Sequence, residues 1–531
     1  MKEWLHTSGN PAWNVSCFRI NIFSNVSGGG ASLVYKSVSP MRQLPWYHGA
    51  CMSAHMSRRQ WLAATTGVVA RAQTGARRPN VLFIAVDDLN DWVGAFGGHP
   101  QSRTPNIDRL AARGVRFDRA YCQAPLCNPA RASLLTGLRP TTTGIYDNDQ
   151  AWRDGAAGVV TLPEYFRANG YHVAGAGKIF HASQTDYSAF DEYFKTPAYL
   201  RPEGARKEKT PGAKPAKDPA GGEGKIQWGA FEASEENEAD TQVAKWSAGI
   251  LGRAHGKPLF LACGFIRPHL PWFAARKYFE RFPPERTVLP EYLDHDLDDV
   301  PRSAVRPQAV RDHERITGAG KWKEAVAAYL ACVNYADECV GRLMAALDNS
   351  RYRDNTIVVL WGDHGWHLGE KRHWRKFTLW ERSCRAPLTV MAPGVTRAGG
   401  VCRRPVEFLD LYPTLADLCG LPANPKVEGR SIRPLLANPD APWDHGAITS
   451  NGPDHISVRT GRWRYTRHPD GEELYDHNSD PNEWTNLASR AEHRPLMRDL
   501  AALLPRHASR KELRHFDKLP ESEKARLRGR A

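Results

Sequence analysis

The chain is punctuated by short apolar runs that stop on charge. In "RPNVLFIAVDDLNDW" the residues Val81 to Val86 are continuously apolar and give way to Asp87 and Asp88. An apolar run this short, bounded by polar residues, is the pattern of a strand buried on both faces. The same design recurs in "YHVAGAGKIFH", ending on Lys178 and His181, in "PLFLACGFIRPHLP", ending on His269, and in "NTIVVLWGDHGWHLGE", ending on Asp363 and His364. Between these runs lie segments of helical periodicity, "TPNIDRLAARG" from Thr104 and "KEAVAAYLACVNYADECVGRLMAAL" from Lys323. Strands alternating with helices predict an α/β fold, a large mixed and mostly parallel sheet between helices. Ligands of such sheets bind outside the carboxyl ends of the strands, which is where these charged residues fall.

After about residue 440 the pattern changes. "AITS", "HISVRT", "WRYTRH" and "EELYD" read as short strands with turns between them, followed by a helix from Ala491 to His507. This predicts a smaller antiparallel subdomain over 441–510 and a basic tail over 511–531. Residues 204–225, rich in Pro, Gly and Lys, read as a flexible surface loop. Residues 1–75 form a leader. From Met56 it reads "MSRRQWLAATTGVVARAQ", paired arginines before a modestly apolar stretch and an A-x-A site, the pattern of an export signal with Met56 as the true start.

The formal charge of +14 over 531 residues suits an anionic partner, although part of it sits in the terminal segment. No apolar run approaches the roughly 20 residues of a membrane span. Ten cysteines occur without a C-x-x-C pair, which disfavours a zinc ribbon or a thioredoxin-like site.

The segment "YCQAPLCNPARASLLTG", residues 121–137, carries the sharpest chemistry. Pro129 suits the first turn of a helix and Asn128 its cap, so Cys127 stands at a helix amino terminus, a natural seat for an anion. Arg131 adds a cation one turn on. With Leu135-Thr136-Gly137 downstream, the stretch resembles the C-x-P-x-R signature of the type I sulfatases, and the resemblance extends from Asn80 to Leu487. "NVLFIAVDDL", "PNIDRLAARGVRF", "RPHLPW" and "DHGWHLGEKRHWRK" make it most similar, within that family, to the iduronate-2-sulfatases.

The resemblance implies the alkaline-phosphatase-superfamily fold, a catalytic domain over 76–440 and an enzyme that hydrolyses a sulfate ester, most simply of a 2-O-sulfated uronic acid in a polysaccharide; the arginine pair after Met56 separately suggests export by the twin-arginine route. It implies that a formylglycine-generating enzyme oxidises Cys127 to formylglycine, whose diol attacks sulfur and whose second hydroxyl then allows sulfate to be expelled. Asp87, Asp88, Asp363, His364 and the modified Cys127 would hold one Ca2+. Arg131, Lys178 and Lys376 would surround the sulfate, His269 would serve as acid and His181 as base, with those two roles exchangeable. The expected partners are a sulfated saccharide and the modifying enzyme, not nucleic acid. Two alternatives use the same residues: a phosphonate or phosphodiester hydrolase of the superfamily, and a non-catalytic binder of sulfated glycans. Tryptophans 92, 152, 272, 366, 374 and 380 cluster near the motifs and fit either a sugar site or the core.

Overall fold

From Val81 onward, each residue of the first strand faces one of two cores. In β1 (Asn80–Val86), Leu82, Ile84 and Val86 belong to one hydrophobic cluster while Val81, Phe83 and Ala85 belong to another. A strand buried on both faces is therefore apolar from Val81 to Val86, as its sequence shows. The computed structural model describes residues 78–196, 226–232 and 234–529. The expected leader and export signal, and the segment 204–225 expected to form a surface loop, lie outside the described residues.

The remaining strands of the main sheet are β2 (Val115–Phe117), β3 (His172–Gly177), β4 (Glu192–Phe194), β5 (Leu259–Phe265), β6 (Thr356–Gly362), β7 (Leu388–Met391) and β8 (Gly400–Cys402). Their order is β8-β2-β7-β6-β1-β5-β3-β4, and only β7 runs against its neighbours. The predicted mixed, mostly parallel sheet is thus present. Helices α1 (Pro105–Arg113), α2 (Cys127–Thr136), α3 (Ala239–Gly252), α4 (Trp322–Asp348) and α5 (Leu411–Leu418) include the covers of its two faces. Among the described residues no helix is long and apolar enough to cross a membrane.

Four further strands, β9 (Ala447–Ser450), β10 (Ile456–Arg459), β11 (Trp463–His468) and β12 (Gly471–Asp476), form the expected antiparallel sheet. Ile456, Val458, Tyr465 and Leu474 share a small core with Met497 and Leu500 of α6 (Arg494–Ala501). That helix is shorter than the sequence predicts. Pro505 disfavours helical backbone at Leu504, and the chain turns after Ala502. Thr449 Oγ1 donates to the Cys122 carbonyl at 2.6 Å and Ser450 N–H to that of Gln123 at 2.9 Å, which ties β9 to the segment leading into α2.

The basic stretch 511–529 is not a free tail. Arg514 pairs with Asp154 at 2.7 Å, Phe516 is buried, and the Arg528 carbonyl accepts from Tyr187 N–H at 3.0 Å. Some of its charges, those of Arg514, Lys511 and Arg528, meet the body of the protein, while others pair within the segment.

Where β3 meets β5 the backbones approach closely. Gly177 has φ +73°, and a Cβ on Gly264 would lie 2.1 Å from the Lys178 carbonyl oxygen. Gly264→Ala is therefore expected to force Lys178 out of position, to lower stability by about 1–3 kcal/mol as overpacking does, and to reduce activity. A urea midpoint unchanged from wild type would show that the ends of β3 and β5 can part without cost.

Candidate active site

Strand register sets the site. Val86 pairs with Phe265 on one side and Gly362 on the other, and Gly177 pairs with Gly264. The residues that leave the sheet next, Asp87, Asp363, Lys178 and the loop carrying His269, consequently emerge together. Asp88 has φ +56°, a left-handed conformation that Asp tolerates better than most residues. Its N–H donates to Asp363 Oδ1 at 3.0 Å. Tyr329, in the middle of α4, donates its hydroxyl to the Asp88 carbonyl at 2.8 Å and accepts from Asn90 N–H at 2.9 Å.

Cys127 is the first residue of α2, and both it and Arg131 are fully buried. The cap differs from the expectation. Leu126 occupies the cap position without a capping side chain, and the Oδ1 of Asn148 instead accepts from Asn128 N–H at 2.9 Å. Asn128 is thereby free to donate its amide to the carbonyls of Asp147 and Gln150, each at 2.9 Å. An amide from another loop thus replaces the local cap.

Around Cys127 Sγ lie Lys376 Nζ at 3.0 Å, His364 Nε2 at 3.4 Å and Asp88 Oδ1 at 3.8 Å. Arg131 donates from Nε to Asp363 at 2.9 Å, from Nη2 to Asp87 at 3.0 Å, and from Nη1 to the carbonyls of Lys178 and Ile179. It clamps the carboxylates and the Lys178 loop. Lys178 pairs with Asp87 at 2.5 Å and Lys376 with Asp88 at 2.7 Å. Burial pushes the Asp87 carboxyl up, but Lys178, His269 and Arg131 outweigh it and hold that group well below the usual range. For Asp88 burial prevails and the carboxyl is raised. Burial likewise raises the Cys127 thiol despite Lys178 and Lys376, so the encoded side chain is a neutral thiol.

The two site histidines have assignable tautomers. His364 Nδ1 contacts the Gly365 carbonyl at 3.0 Å and His269 Nδ1 that of Leu270 at 2.6 Å. A carbonyl only accepts, so each Nδ1 carries hydrogen and each Nε2 faces the site. His269 Nε2 stands 4.0 Å from Asp87 and 3.9 Å from Asp88. His181 follows Lys178 by three residues, half-buried, with its carbonyl accepting from Gln184 N–H at 2.7 Å. It belongs to neither group of close ligand atoms formed by the other site residues.

Those ligand atoms suit a cation. Asp88, Cys127, Asp363 and His364 bring theirs within 4.8 Å of one another, as do Asp87, Asp88, Cys127 and His269. Asp88 Oδ2 is buried without a hydrogen-bond partner, which leaves that oxygen available to an ion. A third such group, Glu381, His477 and Glu483, is neutralised by Arg459 and Arg464 instead.

Lys376 is held by an unusual backbone. Lys371, Arg372, Arg375 and Phe377 have φ of +50°, +52°, +76° and +79°, each costing about 1–3 kcal/mol. The anchors come from afar: Lys371 to Asp296 at 2.7 Å, Arg375 to Asp312 at 2.7 Å, and the Phe377 carbonyl accepting from Arg306 Nε at 3.0 Å and Asn451 at 2.5 Å. His373 Nε2 accepts from Arg306 N–H at 3.0 Å. None of these anchors carries a motif, and the sequence reading passed over them. The six tryptophans near the motifs are all buried and serve the core, with Trp366 also lying 5.2 Å from the Lys376 ammonium.

The sequence profile described as Sulfatase matches residues 79–421. The chain belongs to the sulfatase family. This sulfatase also matches the profile of N-sulphoglucosamine sulphohydrolase, C-terminal, over residues 369–510. A protein named Sulfatase from Formosa agariphila is 39% identical over 461 residues, spanning 84% of this chain and 90% of that protein. Iduronate 2-sulfatase of Mus musculus is 31% identical over 395 residues, or 65% of this chain and 70% of that protein. The structure of a phosphonate monoester hydrolase from Silicibacter pomeroyi superposes with a TM-score of 0.65 at 23% identity, over 80% of this chain and 93% of the other, a likeness of fold. The fold is that of the alkaline phosphatase superfamily, and the sulfatase is a hydrolase of sulfate esters.

Burial pushes the His373 imidazole down to about 4 from 6.5. The unfolded chain then binds this proton more tightly, so the stability of the neutral ring is present above pH 6.5 and is lost as pH falls towards 4, about 3 kcal/mol in all. His373→Gln keeps an acceptor without a titrating proton and should flatten stability against pH in that window. Parallel urea-midpoint profiles for variant and wild type would contradict the assignment.

Proposed function

We propose that this sulfatase removes the 2-O-sulfate of a uronic acid in a sulfated saccharide, with Cys127 converted to formylglycine by a separate enzyme and one calcium ion held by Asp87, Asp88, Asp363 and His364. The observation that carries the chemistry is the placement of Cys127: a buried side chain at a helix amino terminus, touched by an ammonium, a carboxylate and an imidazole Nε2. Hydrated formylglycine at this position would supply a diol oxygen as nucleophile, and a cation held by these residues would supply positive charge to offset that of the diol and the sulfate. The oxygen-rich donor set with the bare Asp88 Oδ2 supports a hard cation.

The chain's own residues complete the reaction. Arg131 orients Asp87 and Asp363, while Lys178 and Lys376 offset charge on the sulfate oxygens. His269, with Nδ1 committed to a carbonyl and Nε2 facing two carboxylates, is suited to carry a second proton and give it to the alcohol oxygen as the S–O bond breaks. His181 is assigned the complementary role of base. The substrate rests on likeness to iduronate 2-sulfatase, and export on the signal pattern from Met56.

Mass spectrometry of the peptide spanning Cys127, from protein made in its own host, should show formylglycine, and Cys127→Ala should lower turnover by about 10³-fold or more. Chelation should abolish activity and calcium restore it. On a substrate panel, the 2-O-sulfated uronate disaccharide should be cleaved faster than choline sulfate, and an aryl sulfate faster than an aryl phosphodiester. Reversal of the first order overturns the substrate, and reversal of the second overturns the preference for sulfate.

A further inference from the structure

Arg131, Lys178 and Lys376 each have a carboxylate within 3.0 Å. Arg306 does not. It caps the helix Pro307–Gly318, is half-buried, and forms no ion pair within 4 Å among the described residues. Its Nε donates to the Phe377 carbonyl at 3.0 Å and its guanidinium lies 5.9 Å from the Phe377 ring centroid. Phe377 directly follows Lys376, whose Nζ touches Cys127 Sγ. From the other side the charge of exposed Asp147 acts on Arg306, and the Asp147 carbonyl is held by Asn128, the neighbour of Cys127. The cation is thus bracketed by the two segments that flank Cys127. The charge of Arg306 also bears on His455, which directly precedes β10 and whose Nδ1 lies 2.9 Å from His468 Nδ1.

A partly desolvated guanidinium without a counter-ion is costly, and the planar fork of its terminal nitrogens matches a carboxylate or sulfo group in two parallel hydrogen bonds. We infer that Arg306 is a specificity residue that grips a second anionic group of the saccharide, a uronate carboxylate or a neighbouring sulfo group, while Lys178 and Lys376 hold the sulfate being removed. The inference rests on the saccharide reading above. It accounts for the Nε edge, and not the fork, being spent on the protein: among the described residues Arg306 is tethered to the Phe377 carbonyl through Nε, which leaves its terminal nitrogens to a ligand.

The test compares kcat and KM of wild type, Arg306→Ala and Arg306→Lys on 4-nitrophenyl sulfate, a 2-O-sulfated uronate disaccharide, its carboxyl-reduced form, and its N-sulfated form. For Arg306→Ala, the loss in kcat/KM on the anionic disaccharides should exceed the loss on the aryl sulfate by about tenfold or more, chiefly through KM. Arg306→Lys should fall between. If carboxyl reduction of the substrate removes the excess, the group is the carboxylate; if the excess appears only with the N-sulfo group, it is the sulfo group. Equal losses on all substrates would overturn the inference and reduce Arg306 to a support for Phe377. Failure of the substrate reading looks different: wild type cleaves the aryl sulfate but no uronate saccharide. Glucuronate should then still inhibit aryl-sulfate hydrolysis about tenfold less well in Arg306→Ala than in wild type, and equal inhibition would overturn the anion grip by itself.

Discussion

The guanidinium of Arg131, spread between Asp87 and Asp363, is the contact on which the site depends. Three carboxylates leave adjacent strand ends in a fully buried place, where unpaired they would repel one another and gain protons. Arg131 joins two of them and, through the carbonyls of Lys178 and Ile179, the loop after β3 as well. One residue of α2 therefore sets three strand ends relative to the helix that begins at Cys127. Lysine would not serve, since one ammonium cannot reach this planar set of acceptors.

The opposite wall is built at greater expense. Lys376 reaches Cys127 from a segment with four side-chain-bearing residues at positive φ. Such backbone persists only where its surroundings over-determine it. Here they do so with Asp296, Arg306, Asp312 and Asn451, which come from the connection before α4 and from the turn between β9 and β10. The C-terminal hairpin accordingly takes part in holding Lys376 through Asn451.

Much of this was readable in advance because the main strands are buried on both faces. Continuous apolar runs ending on Asp87, Lys178 and Asp363 announce a parallel sheet and the edge where ligands bind. The C-x-P-x-R segment announces Cys127 and Arg131. The last helix was overextended because its apolar spacing continues past Ala502 while Pro505 stops the backbone. The terminal segment looked like a basic tail because its ion-pair partner Asp154 is distant in sequence.

By itself the sequence determined the strand-and-helix alternation, the charged strand ends and the place of Cys127 at a helix amino terminus, all consequences of local pattern within a few residues. Only the tertiary structure decided that Arg131 serves the carboxylates, that Asn148 replaces the missing cap of α2, that the six tryptophans are core, and that Arg306, which forms no ion pair among the described residues, stands against the residue after Lys376. Each of these depends on which distant backbone or charge lies within a few ångströms, and residue spacing along the chain carries no record of that.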